Sequence, residues 1–63
     1  MNPETEWELF EFVQREKSWN EICLKINEPL PLIAITLKRL MDNGKIVQTA
    51  KEDNIYYVQK QHD

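Results

Sequence analysis

Sixty-three residues, 41% of them apolar, with two Trp, two Tyr, two Phe and a single Gly, make one small folded domain and exclude a disordered tail. A net charge of −3 excludes a strong, diffuse nucleic-acid binder. The lone Cys23 excludes an internal disulfide. Set in the apolar run Ile22, Cys23, Leu24, it suits a reducing, cytoplasmic setting.

The start lacks the basic and apolar runs of a signal peptide, and no segment reaches the length of a membrane span, so no membrane association is expected. Charge is unevenly spread. Residues 1–28 carry seven acids against Arg15, Lys17 and Lys25, a balance of −4, whereas residues 29–63 carry five cations against four acids. An anionic partner therefore has to meet the second half.

A first helix opens at Asn2-Pro3, a capping side chain followed by a proline whose missing N–H is harmless in the first turn. Thr5 and Glu8 offer a competing capping box one turn later. Glu4, Glu6, Glu8 and Glu11 crowd this end, where the helix dipole favours them. Leu9, Phe10 and Val13 are expected to face the core. Trp7 or Phe12 then falls at an edge, open to a partner.

Ser18 and Glu21 form an S-x-x-E capping box that starts a second helix, with Ile22, Cys23 and Ile26 on its buried side. Trp19 packs back over the domain, from a short extra strand or as a staple-like contact. "NEPLP" ends this helix and restarts a third, from about Leu30 to Asp42. Ile33, Leu37 and Leu40 share one face of it, with Leu30 and Met41 flanking. Gly44 sits where a left-handed residue ends a helix.

Beyond Gly44 the pattern becomes extended. "KIVQT" and "IYYVQ" read as a β-hairpin joined by "AKEDN". The expectation is a single domain over residues 1–63, mainly α with a small hairpin and a frayed tail at 60–63.

This order of elements resembles the winged-helix (winged helix-turn-helix) superfamily over almost the whole chain. The likeness rests on Ser18, Glu21 and Ile22 opening the second helix. It continues in the I-x-x-x-L-x-x-L-x-x-x-G-x-I series of Ile33, Leu37, Leu40, Gly44 and Ile46, and in the tyrosines of "NIYYV". The resemblance implies three helices followed by a two-stranded wing. In DNA-binding members the third helix enters the major groove and the wing touches backbone or minor groove.

Carried onto this chain, the resemblance makes Thr36, Lys38, Arg39, Lys45, Lys51 and Asn54 the candidate DNA contacts. Arg39 suits guanine or phosphate, Lys38 a phosphate, and Thr36 a thymine methyl or the backbone. Leu32 and Ile35, also read as facing outward, cannot bond a base edge, and Glu52 and Asp53 in the wing repel phosphate. About four phosphate contacts per copy are too few for tight binding, so double-stranded DNA would call for a dimer. The alternative is a protein-docking winged helix that uses Leu32 and Ile35, with Trp7 or Phe12.

Catalysis is not expected. His62 lies in the tail, Cys23 has no neighbouring histidine, and no Cys/His spacing suits zinc. The glutamates of the first helix read as a solvated face. No glycine loop exists to cradle a phosphate, and neither metal nor cofactor is expected.

Overall fold

The computed structural model describes residues 3–61. Helix α1 spans Pro3–Phe12, strand β1 Lys17–Ser18, helix α2 Trp19–Lys25 and helix α3 Leu30–Asp42. Strands β2, Ile46–Lys51, and β3, Asn54–Gln59, follow. The three strands form one antiparallel sheet in the order β1-β3-β2, so the short strand before α2 pairs with the returning strand of the hairpin.

Helix α1 begins at Pro3, in keeping with a proline in the first turn; the capping role expected of Asn2 lies outside the described residues. Thr5 is buried inside the helix and caps nothing. Its hydroxyl donates to Glu28 Oε1 at 3.2 Å and ties α1 to the α2–α3 connection. Leu9 and Val13 are fully buried, and Phe10 packs half-buried against them. Trp7 is the aromatic left at the edge, 62% exposed, while Phe12 is half-buried.

The capping box of α2 forms in both directions. The Glu21 N–H donates to Ser18 Oγ at 3.1 Å, and the Ser18 N–H donates to Glu21 Oε1 at 3.0 Å. Ser18 thereby closes a strand and opens a helix, and Trp19 follows, half-buried against the core. Ile22 and Ile26 are buried, but Cys23, expected among them, is only half-buried.

Pro29 caps α3 with extended backbone and no side-chain bond; its carbonyl accepts from the N–H groups of Leu32 and Ile33 at 3.0 and 3.1 Å. Pro31 sits in the first turn, where no donor is lost. At the other end Gly44, at φ +70°, donates to the Met41 carbonyl, and Lys45 donates to that of Leu40, both at 2.9 Å. These two bonds form a Schellman ending, which turns the chain straight into β2.

The hairpin is tighter than "AKEDN" implies. Ala50 pairs with Ile55 and Lys51 with Asn54, which leaves a two-residue turn of Glu52 and Asp53. Both adopt positive φ, 48° and 67°, as a type I′ turn requires. The primed turn matches the right-handed twist of its strands, and that fit outweighs the poor preference of Glu for this conformation.

Leu9, Val13, Ile22, Ile26, Ile33, Leu37, Leu40, Ile46 and Tyr57 make the core. Every helix and both long strands send at least one side chain into it, and so does Val13 in the turn after α1. The sheet is fastened to α1 by Gln59, whose N–H donates to the Val13 carbonyl and whose side chain donates to that of Phe10. Lys60, expected to be frayed, donates its N–H to the Lys45 carbonyl at 2.9 Å; His62 lies outside the described residues.

Candidate nucleic-acid interface

Helix α3 turns about 100° per residue, so the face opposite Ile33, Leu37 and Leu40 is centred on Ile35, with Lys38 and Arg39 to either side. Ile35 is 54% exposed, and Pro31, Lys38, Arg39 and Asp42 are exposed with it. Ile35, Lys38, Arg39, Asp42 and Asn43 line one shallow, open depression at the C-terminal half of the helix.

Two expectations for this face need correction. Thr36 is 0% exposed and cannot offer its side chain to a groove. It lies about 60° from Ile33 and about 40° from Leu40, on the core side, and its hydroxyl donates to the Leu32 carbonyl at 2.8 Å. Leu32 is half-buried, because it stands at the flank of the core stripe and not opposite it. The outward aliphatic surface of α3 is therefore Ile35, with Leu30 exposed at the helix start.

The cations differ in how free they are. Lys38 pairs with Asp42 one turn on, Nζ to Oδ2 at 3.3 Å, and both side chains are well exposed. Such a pair holds its partners weakly. Among the described residues Arg39 and Lys45 form no ion pair, and both are exposed. Lys51 pairs with Glu16 at 2.8 Å, and its ammonium lies 5.6 Å from the Tyr56 ring centroid. Asn54 Nδ2 donates to the Glu52 carbonyl at 3.4 Å, within the wing turn.

Glu16 is the participant that sequence reasoning missed. Thirty-five positions separate it from Lys51, and no local pattern links them. Asp42 was legible in principle, since the i, i+4 spacing is itself the signal. The resulting surface has two free cations near the end of α3 and a wing whose lysine is held by a carboxylate beside two acids, Glu52 and Asp53.

The groups that could do chemistry remain apart. Burial pushes the Cys23 thiol pKa upward, away from the thiolate a nucleophile needs. Among the described residues no group of three or more His, Cys, Asp or Glu side chains could hold a metal ion. No helix among them is long and apolar enough to cross a membrane.

No protein-family model matches the chain, and no curated protein does. A crystal structure of a transcriptional regulator, HlyU, from Vibrio vulnificus CMCP6 does match, with a TM-score of 0.78 at 22% identity. The match covers 95% of this chain and 62% of that one, so the chain spans under two thirds of its neighbour's length. At this identity the likeness is one of fold: three helices followed by an antiparallel hairpin. The chain has the winged-helix fold.

Proposed function

We propose that this winged helix is a DNA-binding module of a transcriptional regulator that acts as a dimer, with the outer face of α3 as its principal contact. The observation that carries the reading is the exposure of Lys38, Arg39 and Lys45 along and just beyond α3, in the half of the chain with surplus cations. The likeness to a transcriptional regulator supports it. Arg39 takes guanine or a phosphate bidentately, and Lys38 and Lys45 take phosphates. Asn54 and Lys51 of the wing add contacts of lower weight, since acids surround them. Such a protein works in the cytoplasm, in accord with the free thiol of Cys23.

About three or four phosphate contacts per copy give weak binding, and two copies on a two-fold site give useful affinity. Fluorescence anisotropy with duplex DNA at low and moderate salt tests this. The expected result is a salt-sensitive signal that Arg39→Ala weakens by roughly five- to a hundred-fold, the range of one good bidentate contact. No signal at tens of micromolar protein, or one indifferent to salt, overturns the reading.

The exposure of Ile35 and Trp7 (54% and 62%) favours a second reading, a winged helix that docks on another protein. Ile35, with Trp7 on α1, would carry the contact. Ile35→Lys combined with Trp7→Glu then abolishes association in sedimentation or pull-down assays. Association unchanged by the pair removes that reading.

A further inference from the structure

We propose that Glu16 is a built-in competitor for phosphate at the wing: it occupies the Lys51 ammonium, and the wing engages a nucleic-acid backbone only by exchanging that carboxylate for a phosphate. The inference rests on the DNA-binding reading of the module and adds a residue that restrains it.

The geometry is specific. Glu16 lies in the loop between α1 and β1, and Lys51 is the last residue of β2, just before the wing turn. Their atoms meet at 2.8 Å, the shorter of the two ion pairs among the described residues. The pair remains accessible, with side-chain exposures of 53% for Lys51 and 36% for Glu16, so an incoming anion can reach it. Tyr56 beneath the ammonium limits where Lys51 can swing. The bond from Glu16 and its charge push the Lys51 pKa upward, in keeping with an ammonium held in its charged form.

Electrostatics decide the direction of the effect. Glu16 is bonded to Lys51, and the acids Glu52 and Asp53 follow Lys51 directly in the chain. Removing Glu16 therefore both frees the cation and lowers the local negative charge. Accessible ion pairs are weak, so the restraint is a modest one, set to reduce affinity and not to abolish it.

The test is DNA binding by the full chain as wild type, Glu16→Gln, Lys51→Ala and the Glu16→Gln/Lys51→Ala double variant, each measured over a salt series. Glu52→Gln, alone and combined with Lys51→Ala, serves as a control that removes the same charge from a carboxylate not bonded to Lys51. Glu16→Gln is expected to bind roughly two- to five-fold tighter at low salt. Its log K against log salt slope should steepen by about one unit, the signature of one added phosphate contact. Lys51→Ala weakens wild type less than it weakens Glu16→Gln, so the gain is erased in the double variant, whereas the gain from Glu52→Gln survives Lys51→Ala.

A Glu16→Gln variant no tighter than wild type overturns the inference while leaving the DNA-binding reading intact. A gain that persists in the double variant overturns it too, because net charge alone then accounts for the effect. Absence of DNA binding by every variant overturns the functional reading, and this inference falls with it.

Discussion

At the scale of single residues, Gly44 carries the sharpest demand on side-chain identity. Its φ of +70° lies in the left-handed region, and a Cβ built there meets no heavy atom within 4 Å. The cost of Gly44→Ala is thus purely backbone, about 1–2 kcal/mol. For a domain of this size that lowers Tm by roughly 4–8 °C per kcal/mol. Gly44→Asn should lose less, because Asn tolerates this conformation. Thermal unfolding of the two variants checks the order, and equal losses would mean that something other than φ sets the requirement. Gly44 was legible because the only glycine of the chain followed a helical stripe. Thr36 was not: one position from Ile35 along α3, it differs by about 100°, enough to take it from the outer border into the core. Polar character suggested the surface, but a hydroxyl that bonds its own helix backbone can be buried at little cost.

At the scale of elements, the start of α2 and the tip of the wing make opposite predictions. The Glu21 carboxyl pKa is held below its ordinary 4.5, first by the Ser18 N–H, against a smaller desolvation effect, then by the Ser18 hydroxyl and the charge of Lys17. Between that depressed value and 4.5 the unfolded chain binds more protons than the folded one. The box therefore stabilises fully above about pH 4.5 and loses its contribution as pH falls through the native value. Glu21→Gln should flatten the acid limb of a stability–pH curve, and Ser18→Ala should cost about 0.5–2 kcal/mol at neutral pH. An acid limb that Glu21→Gln leaves unchanged would place the titrating group elsewhere. The wing turn, by contrast, can be improved. Replacing Glu52 and Asp53 by Asn and Gly supplies residues that favour φ above zero and should stabilise by about 1 kcal/mol, as read by urea denaturation. The box and the ends of α3 were readable because capping and helix-stop signals are local. The two-residue turn was not, since Glu-Asp lacks the Asn-Gly signature and the polar run suggested a longer loop. The Glu16–Lys51 pair lay beyond local reading altogether, because tertiary packing alone brings those residues together.

At the scale of the whole molecule, nine buried apolar side chains among the described residues close a core around a sheet of three strands, and the functional question falls on what remains outside. Ile35 stands between the two readings, with exposed cations to either side of it. Ile35→Lys gives them opposite signs. If the face meets DNA, a cation added beside Lys38 and Arg39 raises the number of phosphates in reach, so affinity rises and the salt slope steepens by up to about one unit. If the face docks on a protein, the same change puts a charge in the middle of an apolar contact and association is lost. The fold is expected to tolerate it, because Ile35 is 54% exposed and lysine sits well in a helix. Leu32, half-buried, is the poorer single site, since a charge there threatens the core before it tests a partner. DNA anisotropy and sedimentation on the one variant, with thermal unfolding to establish that it is folded, therefore separate the readings by direction: tighter DNA binding favours the groove, lost association with no DNA signal favours the docking face.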